Sequence, residues 1–194
     1  MYRKIAMDMD YETLLNYCLT SKYFTNIVCN DIFFYNKLEK DYPDTLKYNS
    51  ENKNWKEYAL EVIYYITKMK EIYGYNYKFG NPKVQYEILK NRALEDKYIE
   101  PDDEYDYDNL ETKKHNFLLF DAVMAGEIAL AEEALRKGAD INADENTAII
   151  NAVEAGNLDM IKYLVNQGAI INRNVRANAS NTKNPEIIKF LSRK

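Results

Sequence analysis

The sequence predicts an all-α fold: an N-terminal short-helix bundle followed by a small helix–turn–helix solenoid. Three observations carry this. Apolar residues recur at helical spacing in segment after segment, as in Trp55, Tyr58, Ala59, Val62, Ile63 and Ile66. Residues that cap or end helices stand between those segments, among them Asp10, Ser21, Asn30, Pro43 and Gly74. A block also repeats. Ala125-Gly126-Glu127-Ile128 and Leu135-Arg136-Lys137-Gly138-Ala139-Asp140-Ile141-Asn142 return 30 positions later as Ala155-Gly156-Asn157-Leu158 and Leu164-Val165-Asn166-Gln167-Gly168-Ala169-Ile170-Ile171-Asn172. A fixed period of this size marks stacked supersecondary units.

The elements follow in order. Residues 11–42 read as three short helices. Tyr11 to Leu19 carries Leu14, Leu15, Cys18 and Leu19 on one stripe, with Asp10 as N-cap. Ser21 opens a second helix that puts Phe24, Ile27 and Val28 on one face. Asn30-Asp31 starts a third, with Phe34, Tyr35 and Leu38 inward, and Pro43 ends it. The polar stretch 44–54 reads as a loop. Trp55 to Tyr73 is the longest amphipathic run and stops at Gly74. Lys83 to Leu94 is a further helix. These segments make a helical domain over 1–98.

Nine acidic residues then crowd between Glu95 and Glu111 with Lys97 as the only base. Like charges at this density resist compaction, so 99–112 reads as an acidic linker and the domain boundary. From 113 to 194 the pattern is helix–turn–helix. Phe117–Ala125 and Ile128–Lys137 form unit one, and Thr147–Ala155 and Leu158–Gln167 form unit two. Asn184-Pro185 begins the helix of a closing, incomplete unit, with an N-cap and a proline at the first helical position. Two and a half units result.

The blocks Ala155-Gly156-Asn157-Leu158-Asp159-Met160-Ile161-Lys162-Tyr163-Leu164-Val165 and Gln167-Gly168-Ala169-Ile170-Ile171-Asn172 resemble ankyrin repeats over 115–194. The family's Thr-Pro-Leu-His turn stands here as Thr147-Ala148-Ile149-Ile150, and the period of 30 implies shortened fingers. The resemblance implies a protein-binding face on the finger tips and the solvent side of each first helix. It maps to Met124, Ala125, Asp144, Glu145, Asn146, Glu154 and Ala155.

A second resemblance lies upstream. Leu14-Leu15, Ser21-Lys22-Tyr23-Phe24 and Asn30-Asp31-Ile32-Phe33-Phe34-Tyr35-Asn36-Lys37-Leu38 are similar to an F-box over residues 5–42, without the Leu-Pro and helix that open that motif. It implies docking on the Skp-type linker subunit of a cullin–RING ubiquitin ligase through Leu14, Leu15, Leu19, Phe24, Phe34 and Tyr35. F-box-like and ankyrin segments in one chain resemble proteins of large DNA viruses that infect eukaryotes. The function so implied is a substrate adaptor that brings a target to the ligase; the alternative is a stand-alone binding or inhibitory module.

Composition bounds the rest. A net charge of −5 disfavours nucleic acid and anionic membrane as partners. No run of 18 apolar residues suggests a membrane span, and Asp8 and Asp10 interrupt any secretory signal. The chain thus reads as an intracellular protein, acting in the host cytoplasm. Cys18 and Cys29, the only cysteines, read as small buried thiols. Chemistry is not indicated. His115 is the sole histidine, no Cys/His spacing suits zinc, no glycine-rich phosphate loop exists, and Asp102–Asp108 lacks the glycine and closing glutamate of a calcium loop. No enzyme activity, cofactor or metal is expected.

Overall fold

A computed structural model describes residues 2–98 and 107–193, and the described residues form helices and no strands. They divide into two compact units, residues 1–83 and 84–194.

The first unit holds α1 (Tyr2–Asp8), α2 (Tyr11–Thr20), α3 (Lys22–Ile27), α4 (Asp31–Asp41), a 3-10 turn (Pro43–Tyr48) and α5 (Trp55–Tyr73). Capping fixes where each begins. Asp10 accepts from the Thr13 amide at 2.8 Å, Asn30 from Phe33 at 2.9 Å and Asn54 from Glu57 at 3.0 Å. Gly74 ends α5 at φ 63°. The core gathers Leu14, Phe24, Val28, Phe34, Leu38, Ala59 and Val62, with Trp55, Ile63 and Ile66 packed at its edge.

Two features lie beyond the sequence reading. The segment 44–54 begins with the 3-10 turn, whose Thr45 is buried and accepts from the Tyr58 hydroxyl at 2.5 Å. Helix α1 is tied to α4 by lysines: Lys37, 2% exposed, bonds to the Met7 carbonyl and Asp41, and Lys40 to Asp8. Cys18 and Cys29 are joined as a disulfide rather than standing as separate thiols; helices α2 and α3 bring their Cα atoms to 5.9 Å.

The second unit begins in α6 (Pro82–Glu95) and continues through α7 (Tyr107–Met124), α8 (Ile128–Arg136), α9 (Ala143–Glu154), α10 (Leu158–Asn166), α11 (Arg173–Asn181) and α12 (Pro185–Ser192). The 30-residue register holds down to single hydrogen bonds. Gly126 and Gly156 donate to Val123 and Val153, and Ala139 and Ala169 donate to Ala134 and Leu164. Gly138 and Gly168 stand at φ 104° and 101°, a conformation that glycine reaches without penalty.

Three expectations change. Part of the expected linker, 99–106, lies outside the described residues, while 107–112 form the first turns of α7. Helix α6 belongs with the repeats. Its buried Gln85 donates to the Glu127 carboxylate at 2.7 Å, and Arg92 pairs with Asp121 at 2.8 Å and lies over the Phe117 ring. The closing unit is complete, because α11 supplies its first helix. Only Val175 and Ala179 of α11 are buried, an i, i+4 pair too sparse for the apolar pattern to announce.

Candidate protein-binding surface

Helices α7, α9 and α11 are the first helices of three successive units, and each turns one stripe outward. On α9 the buried residues Ala148, Ile149, Ala152 and Val153 leave Thr147, Asn151 and Glu154 on the outer side, spaced i, i+4, i+7. Thirty positions earlier the same stripe on α7 is Phe117, Asp121 and Met124; Arg92 of α6 covers the first two, and Met124 is the exposed one. On α11 it is Asn174, Asn178 and Asn181.

Met124 is the most exposed apolar group there, at 67%. It lines a small cleft with Asn151, Glu154 and Ala155. A second cleft on the same side is lined by Ile88, Asn91, Arg92, Glu95, Asp121, Met124 and Ala125. Its cation is not free: Arg92 pairs with Asp121, with Asp96 at 3.7 Å and with Glu95. Burial pushes the carboxyls of Asp96 and Asp121 up, and Arg92 only partly offsets this.

The finger between α8 and α9 carries Asp144, Glu145 and Asn146. All three have left-handed dihedrals, at φ 49°, 58° and 74°, so the right-handed course of α9 starts at Thr147. Asp144 and Glu145 are exposed, and Asn146 is buried to 8%. The fingers are tied in register by asparagines. Asn116 accepts from the Asp140 amide at 2.7 Å, and Asn142 from the Ile170 amide at 2.9 Å. Asp140 and Ile170 are themselves 30 positions apart.

Of the residues the ankyrin resemblance singles out, Met124, Ala125, Asp144, Glu145, Glu154 and Ala155 are exposed and Asn146 is not. Asn151, Asp121 and Arg92 escaped the sequence reading. The stripe position of Asn151 and Asp121 follows from the helix period, whereas the ion pairing of Arg92 depends on α6 meeting α7, which no local pattern records.

The F-box-like residues fare differently. Leu14 and Phe34 are fully buried and Phe24 is 8% exposed. Tyr35 packs against Trp55 at 4.8 Å between ring centres and donates its hydroxyl to Glu39. Leu19 is 82% exposed, and the Leu15 side chain lies outside the described residues.

Among the described residues no group of three or more His, Cys, Asp or Glu side chains is placed to hold a metal ion, and no helix is long and apolar enough to cross a membrane. A cleft in the first unit contains Lys53, but Glu51 at 2.9 Å and Glu61 at 2.5 Å occupy that cation.

Stacked helical hairpins joined by short fingers define a helical repeat solenoid. The family model for ankyrin repeats matches residues 86–175 and 119–194, which together exceed half of the chain, and the chain belongs to the ankyrin-repeat family. Ankyrin repeats are a protein–protein interaction scaffold, and residues 86–194 are built on it. An ankyrin repeat and KH domain-containing protein of Caenorhabditis briggsae is 43% identical over 56 residues, 28% of this chain. The chain spans only 2% of that relative's length. No solved structure matches the chain.

Proposed function

We propose that this chain is a stand-alone ankyrin binding module whose partner is a protein held on the outer stripes of α7 and α9 and on the finger at 144–146. The observation that carries this reading is Met124. This apolar side chain, two-thirds exposed, shares a cleft with Asn151, Glu154 and Ala155 on the side where the ankyrin resemblance puts the binding face, which supports a contact role. The target is a host-cell protein met in the cytoplasm, by the resemblance to proteins of large DNA viruses. There cellular thiols are kept reduced, and Cys18 and Cys29 would stand as neighbouring thiols.

The adaptor alternative requires the first unit to offer Leu14, Leu15, Leu19, Phe24, Phe34 and Tyr35 to the Skp-type linker subunit. Burial of Leu14, Phe24 and Phe34 supports a core role for these residues instead. Titration calorimetry of the full chain with purified linker subunit decides between them. The expected result is no heat of binding at tens of micromolar. Saturable binding that Leu19→Asp abolishes, with the helical circular dichroism intact, would make the chain a ligase adaptor.

A further inference from the structure

The chemistry of the proposed face narrows the partner. Asp144, Glu145 and Glu154 are exposed and form no ion pair with any described residue. Arg92 does not answer these carboxylates, because it is held by Glu95, Asp96 and Asp121. Arg173 and Arg176 belong to the following unit and reverse the sign there. Unpaired negative charge therefore stands at the finger and at Glu154, and Glu154 shares a cleft with the apolar Met124.

We infer that the occupant is a protein segment with two basic residues flanking a large apolar one. The apolar side chain packs on Met124 and Ala155, one cation pairs with Glu154, and the other pairs with Asp144 and Glu145 at the finger. Thr147 to Glu154 is seven helical steps, roughly 10 Å at 1.5 Å per residue. An extended segment advances about 3.3 Å per residue, so basic residues three to four positions apart match the two ends. This inference rests on the binding face proposed above.

The test is selection of a displayed library of random 12-residue peptides on the full chain. Anisotropy titration of the recovered peptides follows, on wild type and on Met124→Asp, Glu154→Lys, Glu145→Lys and Asp159→Lys. The expected peptides are rich in Lys and Arg at that spacing around an apolar residue. Glu154→Lys and Glu145→Lys should each weaken them at least tenfold, and Asp159→Lys, on α10 outside the face, less than twofold. Peptides that Met124→Asp weakens but that lack basic residues, or ignore Glu154→Lys, overturn the inference and leave the face standing. Peptides indifferent to Met124→Asp, or a selection that recovers none, overturn the face as well.

Discussion

Asn142 links the second unit to the third through one side-chain oxygen, which receives the Ile170 amide at 2.9 Å. A net intramolecular hydrogen bond contributes about 1 kcal/mol. Asn142→Ala should therefore lower the unfolding free energy of the repeat unit by about that much, read as a lower urea midpoint at unchanged slope, and an unchanged midpoint would remove the clamp from the account. His115 sets a pH dependence whose sign follows from its surroundings. Burial lowers its pKa below the ordinary value, with Lys137 and Lys114 adding to this and Glu111 opposing it; its Nδ1 is buried without a partner. Above about 6.5, the unfolded value, the ring is neutral in both states. As pH falls through that value the unfolded chain takes up the proton first, so stability declines until the folded ring is protonated too. Wild type should lose more stability than His115→Gln between pH 7.5 and 5. Because the chain has one histidine, its imidazole resonance gives the folded pKa directly, and a midpoint above 6.5 would reverse the sign.

At the scale of the element, what the sequence revealed tracks how local the determinants are. Helices α5, α8, α10 and α12 could be placed to within a residue or two because each carries its own apolar stripe and its own cap or stop: Asn54, Asn157, Asn184 and the αL glycines Gly74, Gly138 and Gly168. The register of the repeat, and with it the two stripes holding Met124 and Glu154, was legible for the same reason. Helix α11 was not, since RNVRANASN buries two side chains and relies on the Asn172 cap and on neighbouring units for its helicity. The early start of α7 was hidden by acidic residues that pattern analysis assigns to linkers. Asn146 was assigned to the binding finger, and it is buried among three successive left-handed residues that precede the right-handed course of α9. That turn has a testable energy. A non-glycine residue in the left-handed region costs roughly 1–2 kcal/mol. Glu145→Gly should raise the stability of the repeat unit by about 1 kcal/mol, less the entropy that glycine adds to the unfolded chain. A destabilised variant would mean that the Glu145 side chain holds the finger in place.

For the whole molecule, the two compact units draw stability from different sources. The repeat unit adds hairpin to hairpin, each burying an apolar face such as Leu130, Ala134, Ile149, Ile161 and Leu164, so its cohesion is spread over neighbouring units. The first unit is a small cluster of short helices, and a core of that size gains markedly from a covalent tie. Its disulfide spans a separation of 11 residues. On the chain-entropy argument, closing a loop of that size lowers the freedom of the unfolded chain by about 3 kcal/mol. Reduction should therefore loosen the first unit selectively. In hydrogen exchange with and without dithiothreitol, amides of α2, α3 and α4 are expected to exchange on the order of a hundredfold faster once the bond is cut. Amides of α8, α9 and α10 should keep their rates. Cys18→Ser with Cys29→Ser should reproduce the reduced pattern without reductant, which separates loss of the bond from any other action of the thiol. Equal acceleration in both units would show that the chain unfolds as one cooperative body. No acceleration in either would show that caps and core, through Asp10, Asn30 and the Leu14–Phe34–Leu38 cluster, already hold the first unit without the bond.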